Sequence, residues 1–169
     1  MSTAIIGLDA SPIIFLGKLG QLRLLEELAL GHYLLPEAVR AEILVPTVAS
    51  ELRPVLEQFL GTCETVVVEE PPAFAPVLSH ADRCLLALAI RRRAKLVVAD
   101  DLPLRKLLAL HHIAPLGTLG LFLLAVKRQL MTADTALEQM HALVVRHQFR
   151  VTVEVYADFL RRLRTGNVT

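Results

Sequence analysis

Two apolar runs in the 169-residue chain end on aspartate: Ile5-Ile6-Gly7-Leu8 is followed by Asp9, and Leu96-Val97-Val98-Ala99 by Asp100 and Asp101. Read as parallel strands, both runs deliver their acids to the carboxyl ends of a sheet, where open α/β folds bind ligands. Clustered carboxylate oxygens in such a crevice suit a hard divalent cation, Mg²⁺ or Mn²⁺. No Cys or His cluster accompanies these acids, which argues against structural zinc.

Each acid also has a plainer use. Asp9 stands just ahead of Ser11-Pro12, where a short carboxylate satisfies free amides at a helix start. Ser79-His80-Ala81-Asp82 has the spacing of a capping box, with aspartate in place of the usual Glu or Gln. Asp100 and Asp101 precede Leu102-Pro103, so one of the pair is expected to cap the following helix. Side chains alternate along a strand, so only one of the two shares the crevice direction, and spacing alone does not choose it. Glu42 falls one helical turn beyond Ala38 and Val39 and is a candidate to face inward, whereas Glu37 suits the first turn of its helix through the dipole.

The elements that must position these acids follow from the hydrophobic pattern. Strands are expected over Ile5 to Leu8, Tyr33 to Leu35, Thr65 to Val68 and Leu96 to Ala99. Helices are expected from Ser11 to Gly20, Gln21 to Leu30, Pro36 to Glu42, Pro46 to about Gly61, Ser79 to about Arg92 and Leu102 to about Leu110. Glu69-Glu70-Pro71-Pro72 with Pro76 reads as a stiff loop. Strand and helix alternation of this kind specifies an α/β domain around a parallel sheet. Beyond Thr118 three helical patterns follow, at about 118 to 130, 133 to 147 and 152 to 164.

Length and composition fit one domain with a full core: 54% of residues are hydrophobic, and the formal net charge is only +1, from 18 Lys+Arg against 17 Asp+Glu. No global field marks a nucleic-acid binder, so any such partner must be held by local patches. Cys63 and Cys84 are too few for a disulfide framework, and Met1-Ser2-Thr3 has no basic leader region, so a cytoplasmic protein is expected. Leu107 to Val126 lacks Asp, Glu, Lys and Arg, yet His111, His112, Pro115, Gly117 and Gly120 interrupt it. That segment reads as helix end, buried turn and new helix rather than a membrane span.

Taken together, Leu8-Asp9-Ala10-Ser11-Pro12, Pro36-Glu37-Ala38-Val39-Arg40-Ala41-Glu42, Leu78-Ser79-His80-Ala81-Asp82 and Val97-Val98-Ala99-Asp100-Asp101 resemble the PIN-domain ribonucleases, which include the VapC-type toxins of bacterial toxin-antitoxin pairs. Gly117-Thr118-Leu119-Gly120 looks like the Gly-Thr-Leu-Gly run of a VapC-like PIN subfamily, so the resemblance covers nearly the whole chain. It implies a three-layer α/β/α fold with additional C-terminal helices: one domain over 1–169, with an α/β core to 117 and a helical part from 118. It also implies a Mg²⁺- or Mn²⁺-dependent endoribonuclease leaving 5′-phosphate and 3′-hydroxyl ends; the helices from Ser11 to Leu30 and the late helices are candidates to receive an antitoxin segment or a second copy of the chain.

By motif position the resemblance assigns Asp9, Glu42, Asp82 and Asp101 as catalytic acids, with Asp9, Asp82 and Asp101 on the metal. It favours Asp101 over Asp100. Asp100, Ser11 and Thr118 are candidates to support the ligands, and Lys18, Arg23, Arg105 and Lys106 to contact RNA. The basic stretch Arg91-Arg92-Arg93-Ala94-Lys95 ends the helix that starts near the acids, so it is expected at the far end. Arg161, Arg162 and Arg164 are equally ambiguous. The sequence departs from the subfamily at Asp82-Arg83-Cys84, where a Glu-Ala-Glu-like stretch is usual. The competing expectation is a PIN-like binding or assembly module without catalysis. A haloacid-dehalogenase phosphatase would need a second acid where Ser11 stands, and a response-regulator receiver lacks its mid-chain aspartate.

Overall fold

A computed structural model describes residues 3–69, 71 and 77–166. Apart from Glu69 and Pro71, the expected Pro-rich loop lies outside the described residues. Five strands, β1 (Ile5–Leu8), β2 (His32–Pro36), β3 (Glu64–Val66), β4 (Leu96–Val98) and β5 (Ala114–Leu116), form one sheet in the order β3-β2-β1-β4-β5, with every pair parallel. Nine helices are seen among the described residues: α1 (Ala10–Lys18), α2 (Arg23–Leu28), α3 (Glu37–Ile43), α4 (Arg53–Leu60), α5 (His80–Arg91), α6 (Leu102–Leu110), α7 (Thr118–Lys127), α8 (Ala133–His147) and α9 (Val153–Thr165). They cover both faces of the sheet, which is the expected α/β architecture.

The order of strands matters for function. The chain builds outward from β1 through β2 to β3, then returns to β4 on the other side of β1 and builds outward again to β5. Between β1 and β4 the direction of growth reverses, so the helices that follow these strands part and leave a crevice at their carboxyl ends. Asp9 and the Asp100-Asp101 pair emerge at that reversal.

Strand β5 was absent from the expected pattern, because Pro115 and only three residues gave no β signal. It survives as an edge strand. The Ala114 amide donates to the Lys95 carbonyl and the Leu116 carbonyl accepts from Ala99, so Pro115, between them, turns its missing donor to the open edge. Helix α4 begins at Arg53, later than the expected start at Pro46, with Pro54 in its first turn. Among the described residues no helix is long and apolar enough to cross a membrane, and the uncharged segment from 107 to 126 is divided among α6, β5 and α7.

A single cluster of buried side chains runs from Ile6 to Phe159. Of the three inner strands, β1 and β4 are apolar on both faces, as helix-covered parallel strands must be. Helix α5 packs on β1 and β2, and it comes close because Gly7 has no side chain: a Cβ there would lie 3.0 Å from Val97 Cγ2 and 3.3 Å from Leu85 Cδ1. On the C-terminal side α7 packs against α8 and α9, while Phe149 meets the Phe15 ring of α1 edge-on at 5.1 Å.

Candidate active site

Asp9 continues β1, and its amide donates to the Val98 carbonyl at 3.0 Å, so the sheet ladder carries the backbone to this residue. Its side chain is 4% exposed and is the N-cap of α1, with Oδ1 accepting from the Ala10 amide at 2.7 Å. Asp9 thus has the capping use open to it, and the helix begins at Ala10, one residue before the expected start at Ser11. Burial, then the neighbouring charges of Asp82, Asp100 and Glu42, push the Asp9 carboxyl up to about 7.

The close approach that Gly7 permits also explains where Asp82 stands. Leu85 touches the β1 backbone at Gly7, and Asp9 lies two residues further toward the carboxyl end on the same face. One turn back along α5, which runs against the strands, is Asp82. The capping box expected at 79 to 82 forms: Ser79 Oγ accepts from the Asp82 amide at 3.1 Å and donates to Asp82 Oδ2 at 2.8 Å. The aspartate thus takes the cap hydroxyl where the longer Glu of a usual box reaches the cap amide. Cap and crevice acid are the same residue.

Asp100 and Asp101 separate as strand alternation requires. Val97 shares the Gly7 and Leu85 side of the sheet, so Asp101 falls on the α5 side and Asp100 on the other. Burial, then the Asp82 charge, raises the Asp101 carboxyl. Asp100 instead accepts from both the Thr118 amide, at 2.7 Å, and the Thr118 hydroxyl, at 2.6 Å. Gly117, the N-cap of α7, has no side chain to cap with, so Asp100 supplies that bond from across the fold. Burial raises Asp100, and its two Thr118 bonds and the Arg105 charge oppose that rise. A Cβ on Gly117 would stand 3.1 Å from Asp100 Oδ1 and 3.4 Å from Arg105 Nη1, so glycine there lets three groups converge.

Glu42 is exposed on the last turn of α3, beyond the buried Val39 and Ile43. Burial of its carboxyl and the Asp82 charge raise it, and His80 opposes them. Asp82 is thus the acid felt by Asp9, Glu42 and Asp101 alike. No Lys or Arg among the described residues forms an ion pair with any of these four acids. No group of three or more His, Cys, Asp or Glu among the described residues is gathered closely enough to enclose an ion. An all-carboxylate set of this openness still fits Mg²⁺ or Mn²⁺, since Mg²⁺ takes one or two carboxylates and keeps waters or phosphate oxygens for its other positions.

The basic candidates divide. Arg105 lies beside Asp100 and Gly117, and Lys106 is exposed next to it on α6. Lys18 and Arg23 do not join them. Helix α1 runs away from Asp9, so Lys18 ends about 12 Å along it, with Nζ 5.8 Å from the Phe15 ring centre. Arg23 opens α2 on the connection into the amino end of β2. At the far end of α5, Arg92 grips Glu64 of β3 with both terminal nitrogens, at 2.7 and 3.1 Å, as the structural reading of that basic stretch expected. Arg161 and Arg162 are held by Asp158 on their own helix. Ser11 sits in the first turn of α1 beside the Asp9 cap.

Two features were missed from sequence. Asp100 and Thr118 are 18 residues apart, and nothing local pairs them. The hydrogen bond between His80 and Cys84, with Nε2 and Sγ 3.6 Å apart, is the second, although their four-residue spacing on one helix face is visible in the sequence.

A family model described as a PIN domain matches residues 5–165. No curated protein matches the chain.

Proposed function

Because the chain belongs to the PIN-domain family, whose members are generally nucleases, we propose that it is a Mg²⁺- or Mn²⁺-dependent endoribonuclease that hydrolyses RNA phosphodiester bonds. The observation that carries this reading is the charge pattern: Asp82 raises Asp9, Glu42 and Asp101 together, and among the described residues no Lys or Arg forms an ion pair with them. Such an arrangement gathers carboxylates whose mutual repulsion a divalent cation would relieve, at the point where the sheet topology opens.

Asp9, Asp82 and Asp101 hold the ion. A divalent cation bound there supplies Lewis acidity toward water and the phosphodiester. Glu42, on the neighbouring helix, orients the attacking water and takes its proton, a task suited to a carboxyl held above its ordinary range. Asp100 and Thr118 fix the β4 end so that Asp101 keeps its direction, a supporting role of the kind that tunes metal sites. Arg105 and Lys106 meet the RNA backbone. By its resemblance to VapC-type proteins the chain acts as the toxin of a toxin-antitoxin pair, with a small antitoxin and a second copy as partners.

Cleavage of a labelled RNA with Mg²⁺ or Mn²⁺ tests the reading, comparing the wild type with Asp9→Asn and Asp101→Asn. Cleavage should stop in EDTA and in both variants. Activity indifferent to EDTA would sink the metal mechanism, and equal cleavage by the Asn variants would expose a contaminant. A protein that binds no divalent ion and cuts nothing would be the non-catalytic module. Growth arrest on expression, relieved by Asp9→Asn, bears on the toxin role.

A further inference from the structure

The formal net charge of +1 conceals an uneven distribution. Up to Asp82 the chain holds eleven Asp or Glu against four Lys or Arg; from Arg83 to Thr132 it holds nine Lys or Arg against two acids, Asp100 and Asp101. The first segment forms β1, β2 and β3 and the second β4 and β5, so the sheet order places them on opposite sides of the β1–β4 boundary. The crevice opens on that boundary. Both acids of the second segment belong to it, Asp101 under the Asp82 charge and Asp100 bound to Thr118, which leaves β4, α6 and β5 with no other acid.

Helix α6 carries the positive charge away from the crevice. It starts just after Asp101, packs against α5 and β5, and reaches His111 after about 14 Å. Leu102, Lys106 and Leu110, spaced one turn apart, form an exposed stripe along it, with Arg105 next to Lys106. Basic residues in the last turn of a helix have a plainer use in the dipole, as at Arg91, but Arg105 and Lys106 lie in the first half of α6, where the dipole gives a cation no help. At their far ends α5 and α6 close with the same turn, the Ala94 amide donating to Ala89 and the Ile113 amide to Leu108. Arg93, His111 and His112 thereby line one cavity of about 240 Å³. Among the described residues neither Arg93 nor Lys106 forms an ion pair.

We propose that the substrate RNA lies on this side alone: a single strand leaves the crevice along the outer face of α6, its phosphates meeting Arg105 and Lys106 first and Arg93 at the far end. His111 and His112 add ring N–H donors there, and Leu102 and Leu110 offer apolar surface to sugars and bases. The acids of the β2 and β3 side repel the same backbone and keep it off that half. Cations in a row that leads to metal-binding acids suit a chain of repeated phosphates, so the choice of RNA as occupant rests on the nuclease reading.

Binding of a fluorescent single-stranded RNA to the full-length chain in EDTA, followed against salt, tests the track without cleavage. Arg93→Gln should lower the salt slope of log K by about 0.7–1, one phosphate contact, and so should Lys106→Gln. Glutamine already occupies a left-handed helix end at Gln129 and Gln148, so it suits position 93, where φ is 52°. Lys18→Gln removes the same charge from the β2 side and should leave the slope unchanged. RNA carrying 4-thiouridine should cross-link to α6 and to residues 91–95 and 111–113. An unchanged slope for Arg93→Gln, an equal fall for Lys18→Gln, or cross-links on α2 to α4 overturns the track. Polyglutamate that displaces the RNA as readily as competitor RNA does, at equal charge, assigns the surface to an acidic peptide and overturns it as well. RNA bound in this way and never cut with Mg²⁺ or Mn²⁺ leaves the track standing and removes the nuclease reading; RNA that is cut while Arg93→Gln keeps the wild-type slope does the reverse.

Discussion

Asp100 and Thr118 are joined twice, the carboxylate accepting the threonine amide at 2.7 Å and its hydroxyl at 2.6 Å. This pair links the carboxyl end of β4 to the start of α7, and so ties the C-terminal helices to the strand end that aims Asp101. Thr118 is fully buried, so its hydroxyl has no water to fall back on.

Thr118→Val keeps the shape and deletes the hydroxyl donor, leaving the half-buried Asp100 carboxylate one bond short. The expected cost is about 1–3 kcal/mol, read from denaturant midpoints, and Thr118→Ser should recover most of it. A valine variant as stable as the wild type would show that the bond contributes nothing.

Asp9→Asn should stabilise the metal-free protein above neutral pH. The Asp9 carboxyl is raised from 3.8 to about 7 in the fold. Its contribution to stability is fully present below pH 3.8 and is lost as pH rises through 7, because the unfolded chain ionises first. Asparagine keeps the oxygen that caps Ala10 and never ionises. Melting temperatures from pH 4 to 8 in EDTA should therefore diverge, the variant gaining most at pH 8; parallel curves would contradict the raised carboxyl. The same variant should lose RNA cleavage by roughly 100-fold or more, as disturbed metal sites do.

Glu64 behaves in the opposite sense. Arg92 and then His32 hold its carboxyl down to about 2. The stability it contributes is present above pH 4.5 and is lost as pH falls through 2. Both side chains of the Arg92 pair are about one third exposed, so solvent screens it and the effect is small. Glu64→Gln should lower the melting temperature slightly at pH 7 and not at all near pH 2. An equal difference at both values would assign the loss to packing.

Arg105→Ala should weaken RNA binding uniformly across sequences and reduce the salt slope of log K by about 1, the signature of one lost phosphate contact. Lys18→Ala and Arg23→Ala, at the other end of the fold, serve as controls whose slopes match the wild type. If Lys18 carries the slope change instead, RNA runs along the opposite end.

Gly7→Ala tests how closely α5 must approach. Its new methyl would sit 3.0 Å from Val97 Cγ2 of β4 and 3.3 Å from Leu85 Cδ1 of α5, so a loss of about 1–3 kcal/mol is expected, together with reduced activity as α5 and its Asp82 are pushed away from Asp9. Full activity in a destabilised variant would uncouple the two acids.

Much of the framework was legible because it is local. Apolar runs ending on aspartate mark β1 and β4, the Ser79-to-Asp82 spacing forms the cap it predicts, and α6 and α8 occupy the expected ranges. Strand β5 was not legible, since an edge strand with Pro115 is held by ladder bonds to β4 and carries no periodic pattern of its own.

By itself, then, the sequence determined which residue types stand at the strand ends and how far apart they lie along the chain. Its spacing left Asp100 and Asp101 undivided, because both follow the same apolar run, and only the family resemblance favoured Asp101. The tertiary structure divided them: alternation past Val97 turns Asp101 toward α5 and Asp82, while Asp100 goes to Thr118. It also separated Arg105 from Lys18 and Arg23, since a helix running back from the crevice carries its far end about 12 Å away, and it brought Glu42, His80 and Cys84 to the wall of one cavity. Direction and distance across the fold depend on how helices pack over the sheet, and no spacing along the chain records them.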